Sequence, residues 1–187
     1  MDILTAINER VSCPRLQEPP PDAAQLEQLL KAAVRAPDHG LLRPWRFITV
    51  AGEDRQRFGQ MVVDACIAGQ PDLNEAQCEK LRLAPLRAPM VLVVVAEIQV
   101  EHKVSEIDQI MACAAAVQNL LLTAHAIGVG AMWRTGAPAL SNELKVALGF
   151  SPKDEIVGFI YLGTPCGSPR VPSMDDPAPY VRQLPHV

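Results

Sequence analysis

From about residue 106 to 127 the chain is apolar on nearly every helical face, most continuously from Ile110 through Leu122. Ser105 followed by Asp108 reads as the helix start, although the usual capping box carries Glu or Gln at that second position. Gly128 reads as its C-terminal stop. A helix with one apolar stripe needs one wall to pack on; a helix apolar all round needs a wall on each side. A membrane span fits poorly, because Gln118, Asn119 and His125 interrupt the run and small alanines replace the Leu and Phe of a span. The sequence therefore places this helix at the centre of the molecule, packed against a sheet or a second subunit.

The remaining elements follow from periodicity and punctuation. A short helix over residues 2–9 carries Ile3, Leu4 and Ile7 on one face. A loop rich in proline, Glu18-Pro19-Pro20-Pro21, precedes Asp22, which caps a second helix marked by Leu26, Leu29, Leu30, Ala33 and Val34. Pro37 stops it, and 36–40 reads as a loop. Strands are expected at 46–51, 90–96, 129–134 and 156–162, helices at 53–68, 75–83 and 141–148. From Gly163 onward prolines are frequent and periodicity is lost, so this tail is expected to be disordered or to lie as an arm across a partner. The alternation gives a single α+β or α/β domain with about four core strands.

Composition narrows the class. The chain has 187 residues, 49% of them apolar and 20% charged, the balance of one globular domain. Aromatics supply only 4%, so the core must rest on aliphatic side chains. A formal charge of −4 lacks the footprint of a nucleic-acid binder. Cys13, Cys66, Cys78, Cys113 and Cys166 are odd in number and contain no Cys-x-x-Cys pair, which suits reduced thiols in the cytoplasm rather than a disulfide framework. The four histidines show no metal-ligand spacing. The N-terminus carries acid early and has no apolar signal core, so a cytoplasmic protein without metal, membrane or nucleic-acid partner is expected.

Several familiar catalytic arrangements are missing. Gly128-Val129-Gly130 follows a helix and leads into a strand, the reverse of the dinucleotide fingerprint, and no third glycine follows. No P-loop, Gly-x-Ser-x-Gly or His-Glu-x-x-His occurs. What remains is a set of basic and hydroxyl residues in loops. Arg10, Ser12 and Arg15 offer cationic forks and a hydroxyl suited to a phosphate, or are solvated loop charges. Arg35 ends its helix, where a cation also complements the dipole. His39 stands in a loop. Trp133 and Arg134 end a buried strand, and an arginine there needs a partner.

Taken together, five segments resemble the nitroreductase family, in particular its compact branch of small bacterial NAD(P)H nitroreductases. They are Asn8-Glu9-Arg10-Val11-Ser12, Arg35-Ala36-Pro37-Asp38-His39, Pro44-Trp45-Arg46-Phe47, residues 127–136 (IGVGAMWRTG) and residues 156–165 (IVGFIYLGTP). They occur in the family's order across residues 1–165. The resemblance implies an α+β three-layer sandwich with about four to five core strands flanked by helices, forming a homodimer around a central helix pair. The whole chain, 1–187, would be one such domain, with residues 164–187 as a C-terminal arm.

The resemblance also implies a site. FMN would lie at the subunit interface, with Arg10, Val11 and Ser12 at its phosphate, ribityl and ring edge. Arg35 and His39 would complete the site, and Trp133, Arg134 and Thr135 would line the isoalloxazine. Thr123, Ala124, His125, Ala126, Ile127 and Gly128 match the stretch linked to NAD(P). Two departures stand out: Arg43 occupies a position where many members have Gln, and Arg170 is the only late counterpart of the cations that help hold the phosphate in larger members. The implied activity is hydride transfer from NADH or NADPH through flavin N5 to an electron-poor acceptor such as a nitroaromatic or quinone, with no side chain required as acid or base. A module that stores or senses FMN without turnover, and a flavin enzyme acting on one specific metabolite, remain alternatives.

Overall fold

The computed structural model describes residues 1–167 and 171–184; Arg170 lies outside the described residues. In chain order the elements are α1 (Ile3–Glu9), β1 (Leu16–Gln17), α2 (Ala23–Ala33), β2 (Trp45–Ala51), α3 (Asp54–Gly69), α4 (Glu75–Leu83), β3 (Met90–Ala96), α5 (Glu106–Ala126), β4 (Gly130–Arg134), α6 (Asn142–Ala147) and β5 (Glu155–Pro165). Side-chain caps set most helix starts. Asp2 accepts from the backbone of Leu4 and Thr5, and Asp22 and Asn74 form reciprocal boxes with Gln25 and Gln77. At α5 the Ser105 Oγ accepts from Asp108 N at 3.3 Å and donates to the Asp108 carboxylate at 2.7 Å. The shorter acid closes onto the hydroxyl instead of onto the backbone N–H that a Glu would reach.

The sheet is antiparallel throughout. β3 pairs with β2 on one side and β5 on the other, while β5 also pairs with β4 and, at its far end, with β1. Strand β3 is buried at every position. Its side chains alternate between two cores, as a period of two requires. Met90, Leu92, Val94 and Ala96 join α2 and α5; Val91, Val93 and Val95 join Phe58, Val62 and Ala65 of α3 and Leu144 of α6. The result is three layers, α2 and α5 on one face and α3, α4 and α6 on the other. The sequence left α+β and α/β open; the antiparallel pairing decides for α+β.

Three differences from the sequence expectation have physical causes. β1 is too short for any periodicity to announce it, and backbone pairing with Thr164 and Pro165 alone defines it. That pairing draws Thr164 and Pro165 into β5, and Gly163 joins it opposite Gly130 of β4, so the arm begins later than proline content suggests. Finally, part of the wall expected for α5 comes from within the chain. Helix α2 packs along it, with Asn119 Nδ2 donating to Ala32 O at 3.2 Å. Ala112, Cys113, Ala116, Val117, Leu120 and Ala124 are buried, and burial pushes the Cys113 thiol up to about 12. Ile107 and Met111 remain exposed, beside the exposed Ile3, Leu4 and Ile7 of α1.

α5 ends as its glycine predicts. Gly128 has φ +76°, its N–H donates to His125 O, and Val129 N–H donates to Ala124 O, the paired bonds of a Schellman turn. A methyl added at Gly128 meets nothing within 4 Å, so only the left-handed backbone penalises it. Gly128→Ala is therefore expected to cost about 1–2 kcal/mol in denaturant unfolding. Leu92→Ala, in the fully buried strand, is expected to cost about 2–5 kcal/mol. Equal costs for the two would contradict this account of the turn.

Candidate functional site

The chain leaves α1 at Arg10, whose N–H still donates to Ala6 O, and then crosses to β4, where Cys13 N–H donates to Ala131 O at 2.9 Å. This bond ties two of the segments that the sequence picked out, 10–12 and 131–136. On the α1 side, Arg10, Val11 and Ser12 line a cavity of about 520 Å³ together with Asn8 and residues 171–175 of the tail. Arg10 is half-buried, and it makes no ion pair or side-chain hydrogen bond among the described residues. Five N–H donors without a partner suit an oxyanion. Asp175 stands in the same wall, a residue the sequence reasoning passed over because it lies in the tail.

On the other side of β4 the side chains diverge, as alternation along a strand demands. Trp133 packs toward the α2/α5 core and its Nε1 donates to Val157 O at 3.1 Å. Gly158 makes room for it: a Cβ there would come within 2.1 Å of the indole nitrogen. Arg134 turns the opposite way, its guanidinium carbon 5.4 Å from the centre of the Tyr161 ring. With Thr135 and Gly136 it lines a second cavity of about 750 Å³, enclosed by α3, α4 and the segment leading into α6. Lys80 and Arg87 reach the same cavity, and neither was legible as a site residue in the sequence, where they read as ordinary charges of a solvated helix and turn. Glu143 is the cavity's one acid and accepts from Ser141 Oγ at 3.0 Å.

Arg35 and His39 line neither cavity within one chain; both are exposed, Arg35 past the end of α2 and His39 at the start of a short 3₁₀ turn. Residues 123–126 form the last turn of α5, and Ile127 and Gly128 close it. Thr123 Oγ1 donates to Asn119 O, Ala124 is fully buried, and His125 Nε2 is buried without a hydrogen-bond partner among the described residues. The side chain of Arg43 takes no part in either cavity, while its N–H donates to the Asp38 carboxylate at 2.7 Å. Among the described residues no group of three or more His, Cys, Asp or Glu could hold a metal ion.

The chain thus has an antiparallel sheet between two helical layers, an arginine after the first helix that is unpaired among the described residues, and a cavity carrying Lys80, Arg87 and Arg134 at the end of β4. The match to the nitroreductase family spans residues 7–164, and the chain belongs to that family of oxidoreductases. It is similar to the Escherichia coli K12 protein named "Putative NAD(P)H nitroreductase YdjA", with 40% identity over 97% of this chain and 98% of the relative. A Haemophilus influenzae protein of the same general name is 34% identical over 88% of this chain and 89% of its own. Among solved structures, a nitroreductase-like protein from Bacillus cereus superposes with a TM-score of 0.85 at 21% identity, covering 98% of this chain and 96% of that one. A Desulfovibrio desulfuricans nitroreductase-type structure in complex with FMN gives 0.74 at 23% identity, covering 100% and 98%. These two likenesses support the fold.

The second cavity makes a direct prediction about charge. Burial pushes the Tyr161 phenol up, and the guanidiniums of Arg134 and Arg87 pull it part of the way back. Arg134→Gln should therefore move tyrosinate formation, followed by ultraviolet absorbance, to still higher pH. The phenol is raised in the folded state, so its share of stability is complete below the ordinary tyrosine value and is lost as pH rises through the folded one. The variant should deepen that alkaline loss. An unchanged titration would mean that Arg134 does not sit over Tyr161.

Proposed function

We propose that this chain is an FMN-dependent NAD(P)H oxidoreductase that passes reducing equivalents to an electron-poor acceptor such as a nitroaromatic or quinone. The single observation that carries this is the half-buried, unpaired Arg10 in a cavity shared with Ser12, hydrogen-bonded through Cys13 to the strand that ends in Trp133-Arg134-Thr135. Family membership, the names of the relatives and the FMN in the Desulfovibrio structure support it. The donor set fits the cofactor: a guanidinium and a hydroxyl for a phosphate, and a strand end with free backbone beyond it for a flat ring. When bound, FMN supplies a carrier whose N5 accepts a hydride and returns it.

The residues of the chain divide the remaining work. Arg10 and Ser12 bind the phosphate, with Val11 beside them. The backbone of residues 133–135 faces the ring, the Trp133 side chain being committed to the core. The stretch Thr123 to Gly128 takes the nicotinamide nucleotide. A second copy covers the exposed apolar residues of α1 and α5 and brings Arg35 and His39 to the flavin. Dimerisation and FMN binding then stabilise each other. Electron-poor planar acceptors suit such a site because they can stack on the ring, and no side chain need act as acid or base.

Two substitutions of opposite sign test the phosphate cradle. Arg10→Ala should weaken FMN binding by about ten- to a hundredfold, the worth of charge-assisted hydrogen bonds. Asp175→Asn should tighten it, because an acid in the same wall opposes a phosphate. Circular dichroism should be unchanged in both. Wild-type affinity in Arg10→Ala, or a protein that takes up no FMN, overturns the assignment. Anaerobic reduction of the bound flavin by NADH and NADPH, followed by acceptor turnover, separates this enzyme from a flavin store, which would bind FMN and turn nothing over.

A further inference from the structure

Gln109 is the most buried polar side chain of α5, 1% exposed. Its Oε1 accepts from Gln99 N–H at 2.9 Å; its Nε2 donates to Gln99 O at 3.1 Å and to Val104 O at 3.3 Å. One amide thus satisfies three backbone groups of the connection between β3 and α5. A buried acid, Asp154, holds the start of that connection by accepting from Ile98 N–H at 2.8 Å.

The pinned connection in turn bears on the loop that carries His39. Val104, 2% exposed, lies 3.1 Å from where a Cβ on Gly40 would stand, and the ring of His102 lies 3.8 Å from the same point. Gln99 Nε2 donates to Leu42 O at 3.4 Å, and Glu97 N–H donates to Pro44 O at 2.8 Å. Arg46 pairs with Glu97 and donates to Arg43 O. The loop needs this support. Gly40, Leu41 and Arg43 all have left-handed φ, +78°, +55° and +51°, and two of the three pay the steric penalty of a side chain. Within the loop itself, Leu41 N–H bonds to Asp38 O and Arg43 N–H to the Asp38 carboxylate. Backbone held in such regions persists only where its surroundings over-determine it, and it gathers at ligand sites.

We propose that Gln109 is a positioning residue for the flavin site: through Gln99 and Val104 it fixes the 97–104 connection against Gly40 and Leu42, and so holds His39 in the pose it presents to the partner subunit's cofactor. The functional half of this inference rests on the proposed role of His39. The structural half does not. The amide is needed as one acceptor and as a donor of two N–H bonds, which neither Leu nor Glu supplies. Gly40 is the receiving end of the same device, since any side chain there meets both Val104 and a left-handed φ.

The test compares Gln109→Leu, Gly40→Ala, their double variant and His39→Ala. Amide hydrogen exchange is read in FMN-free protein, and FMN affinity and the visible spectrum of the bound flavin in the reconstituted one. Exchange of residues 38–43 should accelerate by at least about tenfold in Gln109→Leu, with β3 and the C-terminal half of α5 as protected as before. FMN affinity should fall to the level of His39→Ala, and the double variant should be no worse than the worse single one. Unchanged exchange at 38–43 in either single variant, or additive losses in the double, overturns the proposal. So does full FMN affinity in Gln109→Leu when His39→Ala has lost it. If His39→Ala binds FMN like wild type, the site assignment of His39 fails, and the functional half of the proposal with it. Should Gln109→Leu not fold, Gly40→Ala alone decides, because it leaves α5 intact.

Discussion

Strand β3 is the constraint on which the rest of the structure depends. It is buried on both faces, so its backbone can find hydrogen bonds only in the neighbouring strands, and β2 and β5 supply them along its whole length. Its seven side chains must then be apolar in both directions, and they are: Met90, Leu92, Val94 and Ala96 toward α2 and α5, and Val91, Val93 and Val95 toward α3 and α6. With few aromatics available, the two cores are closed by small and branched aliphatic groups, which lets α5 approach the sheet through alanines. The layers form because one strand has no exposed side.

The site depends on that arrangement at one remove. β5 brings β4 into the sheet, and β4 receives the chain after α1 through the bond from Cys13 to Ala131. Two stretches more than a hundred residues apart thereby become neighbours, with Arg10 on one side of the junction and Arg134 on the other. The two arginines serve separate cavities. Alternation along β4 sends Trp133 toward the α2/α5 core and Arg134 onto Tyr161 on the opposite face of the sheet. His39 is held by a different part of the molecule, the connection that Gln109 pins to α5.

Much of this was legible beforehand. Apolar runs and caps located six helices and four of the five strands, with β5 running three residues past its expected end, because those signals are local. The segments around Arg10, His39 and Trp133 were recognisable as a set only through their order along the chain; singly, each read as well as a solvated loop charge or a core residue. β1 escaped because two residues carry no period. Lys80, Arg87 and Asp175 escaped because a charged residue on a helix or in a proline-rich tail gives no sign of which cavity it will line. Gln109 drew no reading in the sequence, because nothing local announces its three backbone partners.

The sequence by itself determined that α5 would be a central helix, that residues 90–96 would form a strand, and that the chain would carry the nitroreductase order of motifs. These follow from hydrophobic periodicity and from residues close together in the chain. Only the tertiary structure decided that the sheet is antiparallel, that α2 supplies part of the wall for α5, and that Arg10 and Arg134 face different cavities. Strand pairing, and the side of the sheet to which a given residue points, are settled by contacts between distant segments. A one-residue change of register would reverse every one of those directions without altering a single local signal.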